Sequence, residues 1–166
     1  IAFNGSSYEI DHHFYLENPS AFWGESFEVR WQGGLSPTEK VKLDDITYAS
    51  ATSGQSGETE NINQTGKEDN YKRQVLDGNT DWVSIRNKYF TAAIIAESPG
   101  TFASLASHNG DFPNRDITPV YSASIGFPSY VNNIKTRLYL GPLDLDQIQK
   151  TKTNLDDTMN FGFTLI

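Results

Sequence analysis

The chain has 166 residues, no cysteine, and 13 Lys and Arg against 21 Asp and Glu, a formal net charge of −8. A field of that sign repels nucleic acid and anionic lipid, and the basic residues are scattered singly or in pairs such as Lys72-Arg73, so the pattern argues against a nucleic-acid partner. Without cysteine there is no disulfide framework, thiolate zinc ligand or thiol nucleophile, yet a chain of this length can hide roughly 70% of its extended surface in one domain without staples.

Aromatic residues make up 13% of the chain, with 13 Gly and 7 Pro. That mixture suits short strands joined by tight turns and predicts an all-β class. From the N-terminus, Tyr8, Ile10, His12, Phe14 and Leu16 alternate with Glu9, Asp11, His13 and Tyr15, the period of a half-buried strand. Beyond turn material at Asn18-Pro19-Ser20 and Trp23-Gly24, Phe27, Val29 and Trp31 alternate with Glu28, Arg30 and Gln32, predicting a second strand in hairpin order with the first. Asp45 to Thr52 reads as a weaker strand. Residues 53–70 are polar, contain glycine and lack large apolar groups, so burial does not repay their ordering entropy and they are expected to form a mobile loop.

Tyr71 to Leu76 and Trp82 to Arg86 flank the turn cluster Asp77-Gly78-Asn79-Thr80 and predict a hairpin. Tyr89 to Ala96 is nearly continuous in apolar residues and stops at Ser98-Pro99-Gly100, as expected of a strand buried on both faces. His108 to Pro119 reads as a loop, Val120 to Phe127 and Ile134 to Leu140 as strands. After Gly141-Pro142, Asp144 with Gln147 has capping-box spacing and predicts a short helix over 145–152 with Leu145 and Ile148 on one face. No run of about 18 apolar residues is present. The apolar tail Phe161-Gly-Phe-Thr-Leu-Ile166 suggests a piece of something longer.

Signs of chemistry are sparse. His12 and His13 are neighbours on a strand and point to opposite faces, which opposes joint chelation of one ion. Asp44-Asp45 and Asp156-Asp157 lack the alternating ligands of a calcium loop. Nucleophile elbow, phosphate-binding loop and zinc-protease motifs are missing, so no catalytic residue, metal or cofactor is expected. Trp31 and Trp82 sit in strand register and are expected in the core. Trp23, in a turn, and His108 with Asp111 are the candidates for a ligand groove.

Two segments carry a resemblance: Trp82-Val-Ser-Ile-Arg-Asn-Lys-Tyr-Phe-Thr-Ala-Ala-Ile-Ile-Ala96 and, some forty residues on, Thr136-Arg-Leu-Tyr-Leu-Gly-Pro142. Their order and spacing resemble the extracytoplasmic domain of YidC-type membrane protein insertases, with Trp82, Asn87, Lys88, Tyr89, Phe90, Leu140, Gly141 and Pro142 as the signature positions. The resemblance implies a β-supersandwich of the galactose mutarotase-like kind with a short C-terminal helix, residues 1–166 forming one domain that is the C-terminal part of the family's periplasmic domain. It implies a non-catalytic role on the periplasmic side of the bacterial inner membrane, in insertion and folding of membrane proteins. The implied partners are Sec translocon accessory subunits and nascent membrane proteins. Leu145 and Ile148, on the helix leading toward a membrane segment, become the candidate contact with the membrane core. A sandwich cut from its N-terminal strands would expose edges, so dimers of the fragment are expected as artefacts of truncation. The alternative is a carbohydrate-binding or epimerase-like sandwich, which needs a histidine and a carboxylate on a concave face.

Overall fold

The computed structural model describes residues 1–3, 5–17, 24, 26–64, 71–109 and 119–159. Its strands are β1 (Ala2–Phe3), β2 (Glu9–Tyr15), β3 (Ser26–Trp31), β4 (Ser50–Gln55), β5 (Glu58–Ile62), β6 (Tyr71–Arg86), β7 (Phe90–Asn109), β8 (Pro119–Pro128) and β9 (Asn133–Pro142). Helix α1 spans Lys42–Tyr48, helix α2 spans Leu145–Gln149, and a 3-10 turn spans Leu155–Thr158. All pairings are antiparallel.

The all-β expectation holds, and β7 explains how one sheet makes a sandwich. Its first half, Phe90 to Ala96, pairs with β9, whereas its second half, Phe102 to Asn109, pairs with β8. Strand β6 accompanies it throughout, so one half runs β1-β2-β9-β7-β6-β4-β5 while β8 and β3 extend the other. Facing side chains of the two halves form a common core: Ala51, Val83, Ile85, Ala92 and Ile94 from one, Ala103, Leu105, Tyr121, Ala123 and Ile125 from the other. A second, smaller core lies on the opposite face of the first half. There Trp82, Ala93, Ile95 and Tyr139 are covered by Ile148 and Leu155 of the C-terminal segment, with Leu143 and Met159 packed at the margin.

Five local expectations are corrected. Asp77-Gly78-Asn79-Thr80 does not reverse the chain; it is the corner of the continuous strand β6, where the register with β7 shifts between Asp77 and Thr80 and again between Thr80 and Trp82. The Ser98-Pro99-Gly100 cluster is likewise a bend inside β7 rather than its end. Residues that favour turns also accommodate an irregularity in a ladder, and composition does not separate the two. Gln55 Nε2 fastens this corner by donating to the Leu76 carbonyl at 3.0 Å and to Thr80 Oγ1 at 2.9 Å.

Part of the expected 53–70 loop is ordered sheet. Ser53–Gln55 belong to β4 and pair with Glu58–Glu60 of β5 around Ser56 and Gly57, whose φ values are 52° and 86°. Two successive positive φ angles twist as adjoining strands do, and glycine adopts the second without steric cost. Strand β5 reads as loop because it is an exposed edge held by backbone pairing rather than by burial; residues 65–70 lie outside the described residues.

The weak strand at Asp45 to Thr52 is instead the helix α1 followed by β4. Asp44 and Asp45 occupy the first turn of α1, where carboxylates favour the positive end of the helix dipole. The buried Asp45 carboxylate accepts from the Glu39 N–H at 3.0 Å and so ties the preceding segment to the helix. Finally, β2 and β3 are not hairpin partners: β2 lies between β1 and β9, and β3 pairs with β8. Alternation shows which face a residue takes, and it is silent about which strand comes alongside.

Candidate functional site: the β6–β7 turn and the C-terminal strap

The two signature segments, far apart in sequence, are adjacent strands in register. Phe90 lies opposite Pro142, Thr91 opposite Gly141 and Ala92 opposite Leu140. Leu143, just past the second segment, donates its N–H to the Tyr89 carbonyl at 2.7 Å. Gly141 is where the ring of Tyr8 comes down: a Cβ there would stand 2.8 Å from Tyr8 Cγ and 2.8 Å from Tyr139 Oη. Tyr139 itself is buried and donates its hydroxyl to the Pro142 carbonyl at 2.7 Å. Burial first, then Asp144, Tyr8 and Glu9, push its pKa up to about 12.

Asn87-Lys88-Tyr89-Phe90 connects β6 to β7. The Asn87 amide oxygen accepts from the N–H groups of Tyr89 at 3.0 Å and Phe90 at 2.8 Å, while the Asn87 N–H donates to the Phe90 carbonyl at 3.0 Å. A short amide side chain reaches the backbone two and three residues on, so asparagine suits this position. Its Nδ2 donates to the Ser36 carbonyl at 3.2 Å and fixes the turn to the segment before α1. Lys88 reaches across to that segment: Nζ is 3.2 Å from Asp44 and 3.4 Å from Glu39, and lies 5.2 Å from the Tyr89 ring centre and 5.8 Å from that of Tyr48. The Tyr89 side chain, then Asp44, hold the ammonium above its ordinary pKa.

The C-terminal strap, 143–159, crosses the outer face of β6 and is bonded to it at two points. Trp82 Nε1 donates to Asn154 Oδ1 at 2.8 Å, and the Arg86 guanidinium donates to the Thr158 carbonyl at 2.6 Å. Arg86 is mostly buried, which lowers its pKa from the ordinary value, and it spends a second donor on the Asn87 carbonyl at 3.2 Å. The strap begins at α2, where Asp144 accepts from the Gln147 N–H at 3.0 Å as the cap spacing predicts. The helix is shorter than expected, ending at Gln149.

The structure separates the pair expected to touch a membrane core. Ile148 is wholly buried under the strap against the Trp82 cluster and has no surface to offer, whereas Leu145 is 37% exposed. Their three-residue spacing shares one helical stripe, but only Ile148 is turned into this domain's own core. Of the candidate groove, Trp23 and Asp111 lie outside the described residues. His108 is exposed near the end of β7, opposite Tyr71 and Val120. His12 and His13 face opposite ways as expected: His12 packs edge-on against Phe14, and His13 shares a 2.5 Å hydrogen bond with Asn133. Among the described residues no three acidic or histidine groups gather as a metal site.

Two concavities stand out among the described residues. One, lined by Asp45, Ile85, Arg86, Asn87 and Tyr121, encloses about 20 Å³, room for a water. The other is an open depression of about 420 Å³ bordered by Asp11, His13, Glu97, Lys135 and Arg137. Arg137 is engaged there by Glu9 at 2.7 Å and Glu97 at 2.9 Å. Sequence reasoning found the turn and the Leu-Gly-Pro strand end but not Asn154, Thr158 or Gly54, which act only through the fold and carry no local signature.

The family model described as "YidC periplasmic domain" matches residues 1–166. The chain belongs to the YidC periplasmic domain family. Proteins named membrane protein insertase YidC are similar to it along nearly its whole length. That of Chlorobium limicola is 30% identical over 162 residues, covering 97% of this chain and 28% of the relative. That of Chloroherpeton thalassium is 30% identical over 166 residues, with the same coverages. That of Pelodictyon phaeoclathratiforme is 31% identical over 169 residues, covering 98% of this chain and 28% of the relative. The chain thus spans under a third of the length of the curated relatives it matches, and its signature positions fall on β6, on the β6–β7 turn and on the end of β9. No helix among the described residues is long and apolar enough to cross a membrane.

Proposed function

We propose that this chain is a non-catalytic domain on the periplasmic side of the inner membrane, working within a YidC-type insertase in the insertion and folding of membrane proteins. Its work is to dock Sec translocon accessory subunits or to support the membrane core, and nascent membrane proteins are met through the whole protein. The observation that carries the reading is the signature turn. Asn87 and Lys88 spend their polar groups on this domain's own backbone and carboxylates, as parts of a scaffold do, and no reacting constellation accompanies them among the described residues. The strap supports it as well, since hydrogen bonds from Trp82 and Arg86 hold to the sheet the segment that carries the chain onward.

Leu145 is the exposed apolar position of α2 available to a neighbouring body. In full-length protein, Leu145→Ser is expected to reduce insertion of a reporter membrane protein or recovery of Sec components, while thermal unfolding stays unchanged. Normal insertion and normal Sec recovery together would remove the proposed role of α2.

The depression beside His13 is the one observation favouring a carbohydrate-binding sandwich, because it sets a histidine with Asp11 and Glu97 around one concave site. Calorimetric titration with mono- and oligosaccharides separates the readings. Heat that disappears in Asp11→Asn would favour the sugar reading, and no heat would leave the scaffold reading alone.

A further inference from the structure

Strand β5 closes one side of the run β1-β2-β9-β7-β6-β4-β5, and its free edge has a definite pattern. It pairs with β4 alone, and Glu58 to Asn61 are all exposed. Residues 56–57 form a two-residue turn, so Gln55 and Glu58 are the hydrogen-bonded pair that closes it. Hydrogen-bonded pairs alternate along an antiparallel ladder, so Glu58, Glu60 and Ile62 turn their backbone groups toward β4. Thr59 and Asn61 turn theirs away. The N–H and C=O of both residues stand open at the spacing that an added strand needs.

The side chains say what kind of strand fits. Glu58 and Glu60 project on the same face as Ile62, which packs at the margin of the main core. Neither glutamate has an ion-pair partner among the described residues. The edge strand β3 differs, since its Glu28 is spent on Arg30 and Ser124. A second copy of this chain is a poor occupant of the β5 edge. Two-fold antiparallel pairing centred on the strand would set Glu60 against Glu60, and sliding it toward the turn would set Glu58 against Glu60. Like charges directly opposite one another destabilise a pairing, and the chain's charge of −8 opposes the approach as well. Charge complementarity selects a basic strand instead.

We propose that the free edge of β5 takes an extended basic segment of another protein as an added antiparallel strand. Its backbone bonds to Thr59 and Asn61. The residues beside Glu58 and Glu60 then form the non-hydrogen-bonded pairs, in which side chains approach most closely. The fitting sequence is apolar-x-basic-x-basic, with the apolar residue opposite Ile62, Lys or Arg opposite Glu60 and Glu58, and no proline at either x. Main-chain bonds supply the affinity, and the alternate charges fix the register. The inference goes beyond the reading above and does not rest on it, because it requires neither attachment to a membrane nor Sec.

The test uses full-length protein in detergent and a fluorescein-labelled peptide, Thr-Val-Thr-Lys-Thr-Lys-Thr, followed by anisotropy. The peptide should bind, and less tightly as ionic strength rises. Thr-Val-Thr-Thr-Lys-Lys-Thr keeps the charge but sends the lysines to opposite faces, and should bind about five-fold more weakly or worse. Proline between the lysines removes the N–H that bonds to Thr59 and should abolish binding. On the protein, Thr59→Pro removes a donor that points away from β4 and should also abolish binding, with the β4–β5 ladder intact. Glu60→Gln should weaken binding about five-fold without changing thermal unfolding, and it alone decides if Thr59→Pro unfolds early. Equal affinity for the three peptides would mean attraction to net charge and would overturn the proposal. So would no binding, or binding that Glu60→Gln leaves unchanged. Self-association of the protein that Thr59→Pro removes would overturn it too, because a second copy would then hold the edge.

Discussion

The indole N–H of Trp82 and the side-chain oxygen of Asn154, 72 residues apart, meet at 2.8 Å beneath the C-terminal strap. The ring of Trp82 is fully buried, so its single donor has no access to bulk water. Removing the acceptor with Asn154→Ala is expected to destabilise the domain by about 1–3 kcal/mol, the cost of an unsatisfied buried donor. Urea denaturation with the slope unchanged checks this, and a loss under about 0.5 kcal/mol would mean that water replaces Asn154.

Gly54 lies opposite Trp82 on β4, and a Cβ at that position would stand 2.2 Å from Trp82 Cε2. Gly54→Ala must therefore displace the ring, and overpacking of this kind typically costs about 1–3 kcal/mol. The smaller ring in Trp82→Phe removes part of the clash. The double variant should consequently be more stable than the sum of the single losses allows, and strict additivity would refute the contact.

Asn87→Ala leaves the Tyr89 and Phe90 N–H groups without their side-chain acceptor, whereas Asn87→Asp retains an oxygen there and loses only the donor to Ser36. The expected order of stability is wild type, then Asp, then Ala, with Ala about 1–2 kcal/mol below wild type. Equal losses in the two variants would show that the Ser36 bond, not the turn acceptor, holds this corner.

Tyr139 binds its proton more tightly when folded, with a pKa of about 12 against an ordinary 10.0. The unfolded chain therefore ionises first as pH rises, so the contribution is complete below about pH 10 and is lost between about 10 and about 12. Tyr121, also raised by burial, adds to the same decline. Denaturation midpoints should be level up to the start of that window and then fall. Tyr139→Phe should flatten part of the fall while lowering stability at neutral pH by about 1 kcal/mol, through loss of the bond to Pro142. An unaltered alkaline profile in Tyr139→Phe would exclude this tyrosine as its source.

Periodicity and composition determined the all-β class, the faces of β2 and β3, the core strand after Tyr89 and the cap at Asp144, because each depends on residues within a few positions of one another. The resemblance of two short segments determined the family. Only the tertiary structure decided that Asp77 to Thr80 bends a strand instead of closing a hairpin, that Glu58 to Ile62 pairs although it buries little, and that Ile148 faces inward. Those outcomes depend on what lies alongside: β7 runs along β6 through the bend, β4, itself held by β6, pairs with β5, and the sheet face around Trp82 receives α2. The meeting of Trp82 with Asn154 is of the same kind. Nothing near either residue in the chain specifies it, and it exists because the strap needs the sheet to bury Ile148 and Leu155.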